Sequence, residues 1–187
     1  VNTWLHGQHL LADGVKMSKS SGNVFTLPDI ADQGIEPGAL RYLCMTVHFS
    51  TRLNFTFTSL KAAQRGLLHL QNRVWEWGRS SGRQDPPEVL RQWEGRFIER
   101  VNDNLDMPGA LAVVWDLAHS DLTAATKLQA ILSMDRVLGL GLDRVASEYR
   151  VAEATLAAVG HRADHRSRSQ YDEADRHRST LAQKGYV

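Results

Sequence analysis

The sequence predicts a mainly α-helical protein in which a small N-terminal β-hairpin segment precedes an antiparallel helical bundle. From Thr58 onward, apolar residues recur at spacings of three and four, the period of an amphipathic helix. Before that point, short apolar runs flank Asp13-Gly14, a dipeptide typical of tight hairpin turns. The chain has 187 residues, of which 42% are hydrophobic and 23% charged, so it is large enough to bury a core.

The strands predicted before the bundle are short. Residues 3–6 and 9–12 have strand-like composition, and the second of these stretches leads into the hairpin turn. Residues 51–55 alternate in character and are predicted to connect this segment to the bundle.

Two helices are predicted between the hairpin and the bundle. Thr26, followed by an acidic residue three positions later, predicts the start of a short helix that ends at Gly34. Pro37 is placed for the first turn of the next helix, which is expected to run to about His48.

The bundle helices have recognisable start signals. A polar loop at residues 80–85 separates the first from the second, and Gly139-Leu140-Gly141 interrupts the pattern later. The predicted starts are Thr58, Asp85-Pro86, Asp106 with Pro108, an Asp121 cap, and a region beyond Asp143 with two more helical stretches. Tryptophans 75, 77, 93 and 115 are expected to fill the core; an aromatic platform for bases is the alternative.

The segment Lys16-Met17-Ser18-Lys19-Ser20 is the chemically distinctive part of the chain. A lysine ammonium is a compact charge with three donors, which suits a triphosphate whose geometry changes during a reaction. Gly14 and Gly22 flank the segment and give a loop the freedom to close on a nucleotide and reopen. The pattern predicts a loop that binds ATP phosphates and neutralises the departing pyrophosphate. A solvated basic loop is the alternative.

Other features of the sequence predict where the protein is located. No apolar run reaches membrane-spanning length, and the first residues do not resemble a signal peptide. Cys44 is the one cysteine, which excludes an internal disulfide and fits a reducing compartment, so a cytoplasmic location is predicted. Because Cys44 lies in an apolar run, it is expected to be a small core residue rather than a nucleophile.

Arginine and histidine are concentrated in the C-terminal third, although the net charge is only +1. This basic region is a candidate contact for phosphate backbones, and an ordinary solvated helix face explains it equally well. His161 and His165 have the spacing of helix-borne zinc ligands, but no third ligand is evident. The sequence therefore predicts no metal site in this chain.

Motifs along the chain occur in a characteristic order. The N-terminal ones are Trp4-Leu5-His6, the run from Gly14 to Asn23, and Pro37-Gly38-Ala39-Leu40-Arg41-Tyr42-Leu43. The later ones are His48-Phe49-Ser50-Thr51, Leu53-Asn54-Phe55, Phe97-Ile98-Glu99, Asn102-Asp103-Asn104, Pro108-Gly109-Ala110 and Ala174-Asp175-Arg176, with Leu181 and Gly185. Together they resemble the second half of a class I cysteinyl-tRNA synthetase.

The resemblance implies a function for each part of the chain. Residues 1–55 would be the end of the catalytic domain, with the lysine loop and a segment that contacts the inner side of the tRNA. Residues 56–142 would be a helical-bundle anticodon-binding domain, and residues 143–187 a C-terminal helical, partly basic segment. The implied substrates are cysteine, ATP with Mg²⁺ as its counter-ion, and tRNA-Cys. The full-length form is expected to be a monomer.

The resemblance also implies roles for individual residues. Lys16 and Lys19 would be catalytic, with Lys19 on the nucleotide phosphates. The implied ATP-binding set is Lys16, Met17, Ser18, Lys19 and Ser20. His6 is added to this set because it lies just ahead of the loop, and a packed histidine at a strand end explains it equally well. The residues expected to contact tRNA follow from their positions in the sequence: His48 and Arg52 lie on a polar connector, and Arg166 and Arg168 lie in the basic C-terminal region.

Two features of such enzymes are not matched in this chain. They carry a His-x-Gly-His signature, whereas His6-Gly7-Gln8-His9 has a different order and lies too close to the lysine loop. They also bind zinc, through ligands that lie upstream of the region this chain matches, and Cys44 corresponds to none of them. The chain is therefore expected to be roughly the last two-fifths of a synthetase and inactive alone.

Two other functions fit the same residues. One is a non-catalytic module that binds tRNA through its helices. The other is a related ATP-dependent ligase that joins cysteine to an amino sugar in thiol biosynthesis and shares the lysine loop. Leu53-Asn54-Phe55 and the anticodon-type helices favour the tRNA enzyme.

Overall fold

The computed structural model of the chain describes residues 2, 4–18, 24–80 and 82–148. This part is mainly helical with a small sheet, which confirms the predicted fold class. Its helices are α1 Leu27–Asp32, α2 Pro37–Met45, α3 Phe57–Arg79, α4 Pro87–Asn102, α5 Met107–His119, α6 Ala124–Leu138 and α7 Leu142–Glu148. Its strands are β1 Leu11–Ala12, β2 Val15–Lys16 and β3 Asn54–Phe55. Predictions that lie outside the described residues concern Lys19, Ser20, His161, His165, Arg166, Arg168 and the last helical stretch.

The three strands form one sheet in the order β2-β1-β3. The predicted hairpin is confirmed: β1 and β2 pair antiparallel around Asp13 and Gly14, whose φ angles of 50° and 80° suit a type I′ turn. The predicted connector over 51–55 contributes β3, which pairs parallel with β1. The strand predicted over residues 3–6 is wrong for residues 4–6, which are exposed and have no strand structure.

The helix signals before the bundle are confirmed at α1. Thr26 and Asp29 form a reciprocal capping box at its N-terminus, and Gly34, just beyond its end, has a φ of 70°. The second helix begins at Pro37 as predicted but ends at Met45, three residues early. The Thr46 hydroxyl donates to the Leu43 carbonyl at 2.7 Å and so satisfies a helix-end acceptor.

The bundle is arranged around α3, the longest helix of the described part. It packs against α2 and α6, while α4 packs against α5 and α6. Its apolar stripe is buried as predicted and consists of Leu60, Ala63, Leu67, Leu70 and Val74. Among the tryptophans, Trp77 is buried and Trp93 and Trp115 pack half-buried against the core, whereas Trp75 is half-buried under the Arg79 guanidinium, 5.0 Å from its ring centroid.

The helix ends show which cap predictions hold. Asp106 accepts from Gly109 N–H at 2.9 Å and caps α5 as predicted. The prediction of Asp121 as the next cap is wrong, because Thr123 caps α6 by accepting from Thr126 N–H. At the other end of α6, Gly139 has the left-handed conformation of a helix stop. No described helix is long and apolar enough to cross a membrane.

A carboxylate ties the loop before α4 to the start of α6. Asp85 accepts from the backbone N–H and the hydroxyl of Thr123, both at 2.9 Å, and its own N–H donates to the Thr126 hydroxyl at 2.8 Å. These hydrogen bonds, the backbone one first, lower the pKa of Asp85 below its ordinary value. A negative charge at a helix N-terminus is also favoured by the helix dipole.

Asp85→Asn is expected to lower stability at neutral pH, and this effect should disappear in acid. Because the folded pKa of Asp85 is lowered, its contribution is present above the unfolded value of about 3.9 and is lost as pH falls through the folded value. Urea midpoints of the two proteins, measured from pH 7 to pH 2.5, should therefore converge below about pH 4. Glu76→Gln, on an exposed position of α3, is the control. A constant gap across this range would contradict the charge-based role.

Candidate functional site

The lysine loop begins on the second strand of the hairpin. Lys16 is exposed and pairs in register with Leu11. The N–H of Met17 donates to the Leu10 carbonyl at 3.5 Å, and the side chains of Met17 and Ser18 are half-buried. The structure therefore fixes the first part of the loop on the sheet.

Asn54 attaches the hairpin to the start of the bundle. Its side-chain oxygen accepts from Gly14 N–H at 2.8 Å, directly at the hairpin turn. Backbone bonds from Leu11 N–H to the Leu53 carbonyl, at 2.9 Å, and from Asp13 N–H to the Phe55 carbonyl, at 3.1 Å, run alongside it. The sequence motif Leu53-Asn54-Phe55 contained this residue, but its spacing gave no sign that the amide would cap a turn 40 positions earlier.

An aromatic cluster holds the chain at Phe25, on the C-terminal side of the lysine loop. The Phe25 ring lies 5.4 Å from that of Phe55 and 5.2 Å, edge-on, from that of Phe57. Phe55 belongs to β3, and the loop leaves β2, so the described chain on both sides of the lysine loop is attached to the same three-stranded sheet. This arrangement gives the loop a rigid base beside the start of α3.

The other predicted ATP-binding residue, His6, lies on the exposed N-terminal stretch. Its ring stacks on Trp4 with centroids 6.1 Å apart and planes inclined by 10°. The backbone nearby is held by Gln8 N–H, which donates to the Phe49 carbonyl at 2.9 Å. A role for His6 toward a nucleotide stays a prediction.

The two predicted tRNA contacts within the described residues have different surroundings. Both ring nitrogens of His48 have protein partners: Nδ1 lies 2.6 Å from the Ser50 hydroxyl and Nε2 lies 2.9 Å from the Asn104 carbonyl oxygen. His48 thus joins the end of α2 to the turn between α4 and α5. Arg52 is exposed on the connector before β3. Contact of either residue with tRNA stays a prediction.

Cys44 differs from its predicted place in the core. It is exposed on α2, at a cleft of about 690 Å³ that Arg41, Leu140 and Arg144 also line. Partial burial raises the pKa of the thiol, and the positive charge of Arg41 opposes this less strongly. A raised pKa lowers the thiolate fraction at neutral pH.

Histidine, cysteine and acidic side chains are the residues that most often hold metal ions in proteins. In the described ranges, no three of them come close enough together to hold a metal ion.

A known family matches the N-terminal part of the chain. Residues 1–65 match the model of the class I tRNA synthetase (C) catalytic domain. The match contains the hairpin, the lysine loop, α1, α2 and β3, and it ends within α3.

Individual relatives extend this similarity to the rest of the chain. The cysteine–tRNA ligase 1 of Burkholderia lata is 40% identical over 191 residues, covering 99% of this chain and 38% of the relative. The cysteine–tRNA ligase of Chlamydia muridarum is 32% identical over 217 residues (100% and 44%), and that of Borrelia turicatae 29% over 206 residues (98% and 42%). The chain thus spans about two-fifths of the length of these relatives.

Proposed function

We propose that this chain, which in sequence corresponds to the C-terminal part of the class I cysteinyl-tRNA synthetases, supplies the ATP loop and tRNA-binding region of a cysteine–tRNA ligase. The reaction would be ATP-dependent activation of cysteine followed by its transfer to tRNA-Cys. Colinear similarity over 99% of the chain is the observation that carries this proposal.

The lysine loop would act on the departing pyrophosphate. Attack of the cysteine carboxylate on the α-phosphate forms cysteinyl-adenylate, and the bond to the bridging oxygen of the β-phosphate breaks. Negative charge then develops on pyrophosphate, where the ammonium groups of Lys16 and Lys19 would lie. The hairpin supports this role because Asn54 fixes its turn, so that Lys16 stands on a held strand at the start of the loop. Mg²⁺, bound with ATP, would neutralise further phosphate charge.

Exposed apolar side chains in the N-terminal part support association with a further catalytic part. Large apolar side chains are exposed there: Trp4 by 74%, Leu5 by 66%, Val15 by 58% and Leu27 by 54%. Several large apolar side chains exposed within the first 27 residues are consistent with a surface that another structural unit covers. We infer that the nucleotide-binding part of the ligase packs against this surface.

The decisive experiment joins this chain to the N-terminal three-fifths of the Burkholderia lata relative. We expect the chimera to catalyse cysteine-dependent pyrophosphate exchange and to charge tRNA-Cys, and the 187-residue chain alone to do neither. The intact relative is the positive control. A folded chimera that transfers cysteine to an amino sugar, or one that binds tRNA without activating cysteine, would contradict the proposal and support one of the two other functions.

A further inference from the structure

Three aromatic rings meet on the surface between α3 and α5. The ring of His69 lies 5.5 Å from that of Trp115, and the ring of His119 lies 5.8 Å from it in a stacked arrangement with planes inclined by 27°. Both histidines are exposed, whereas the indole is half-buried beneath the surface. The three residues form what we call the His–Trp–His cluster.

The indole of this cluster is fixed in place. Trp115 Nε1–H donates to the Tyr42 hydroxyl at 2.9 Å, and His119 Nδ1 lies 2.8 Å from the Trp115 carbonyl oxygen. Burial raises the pKa of Tyr42, and the bond from Trp115 opposes this less strongly, so the phenol stays protonated at neutral pH. A rigid indole carrying two exposed imidazoles loses little side-chain freedom when a flat ligand stacks on it.

Positive charge lies along the same face of α3. Arg65 and Arg73 are one turn before and one turn after His69, at the i±4 spacing that aligns side chains on a helix. Arg73 also lies close enough to Lys127 to help lower the pKa of its ammonium, after the larger effect of burial. Asp116, next to Trp115 in sequence, is already paired with Arg96 at 3.1 Å.

We propose that the His–Trp–His cluster is a stacking site for an unpaired base of RNA, with Arg65 and Arg73 contacting the flanking phosphates. This inference rests on the proposed function, because it assigns one contact surface to the tRNA partner. Aromatic rings between cationic side chains are the usual means of binding single-stranded nucleic acid, since every base has a face that can stack. Duplex RNA keeps its bases stacked inside the helix and cannot use the cluster in this way.

Binding of octanucleotides to the full 187-residue chain tests the inference. Single-stranded octa-adenylate and octa-uridylate should shift the Trp115 indole N–H resonance, and a duplex of the same length should not. The double variant His69→Ala/His119→Ala should weaken binding of the single strands about tenfold, because stacking on an aromatic side chain contributes about 1–3 kcal/mol per base. Arg65→Ala and Arg73→Ala should each reduce the slope of log Kd against log salt by about one.

The control is His9→Ala, which removes an exposed histidine outside the cluster and should leave binding unchanged. An unmoved Trp115 resonance, or wild-type affinity in the double variant, would overturn the stacking site. Failure of the proposed function looks different: the chimera would not charge tRNA-Cys even though octanucleotides still bound at the cluster. If the chimera charges tRNA-Cys equally well with and without the double substitution, and the octanucleotide results are also negative, only the stacking site is rejected.

Discussion

Lys19→Ala, introduced into the active chimera, is expected to lower the rate of cysteine-dependent pyrophosphate exchange by about 100-fold, and Lys16→Ala by a similar factor. Removing one group that stabilises transition-state charge typically costs 100- to 1,000-fold in rate. The lysines should stabilise bound ATP less than they stabilise the transition state, because the additional negative charge on pyrophosphate develops only as the bond to the α-phosphate breaks. The loss should therefore appear mainly in kcat and less in the KM for ATP.

The matched control is Lys61→Ala, since Lys61 is an exposed lysine at the start of α3, outside the lysine loop. It should leave exchange within about twofold of the parent chimera. Binding of tRNA-Cys, measured separately by filter retention, should change little in the Lys16 and Lys19 variants. Equal losses in exchange rate and tRNA affinity would mean that these lysines contact tRNA phosphate rather than the leaving group.

The bundle was largely predictable because its signals are local. Thr26 with Asp29 and Asp106 with Gly109 are contacts between residues three positions apart, so their spacing in sequence shows them. The prediction that Asp121 caps α6 was wrong because local sequence does not distinguish it from Thr123, and both residue types are acceptable caps. The hydrogen bonds from Thr123 to Asp85 distinguish them, and that partner lies 38 positions away.

The chemistry of the site is a prediction from residue type, whereas its structural support could not be predicted. The two lysines and the glycines of the loop predict phosphate binding from residue type alone. The contact between Asn54 and Gly14, and that between Tyr42 and Trp115 across 73 positions, depend on how α2, α3 and α5 pack. Cys44 illustrates the same limit, because an apolar neighbourhood in sequence does not say which side of α2 faces the core.

Phe97→Ala is expected to destabilise the chain by about 4 kcal/mol, the largest effect on stability that we predict. Phe97 is 1% exposed and belongs to the core that α4 forms with α5 and α6. Truncating a buried phenylalanine removes its apolar contacts and leaves a cavity that the surrounding helices fill only partly, at a cost of about 3–5 kcal/mol. This loss is a large fraction of the free energy of unfolding of an ordinary domain.

The neighbouring residue provides the control for this measurement. Ile98 lies on the same helix and is 45% exposed. Replacing it by alanine should lower the free energy of unfolding by less than about 1 kcal/mol. Both variants change helix propensity in the same direction, so the difference between them isolates burial. Urea unfolding followed by far-UV circular dichroism should show a much lower midpoint for Phe97→Ala and an almost unchanged slope. Equal midpoints for the two variants would mean that α4 does not bury this face, and the packing of α4 against α5 and α6 would then be wrong.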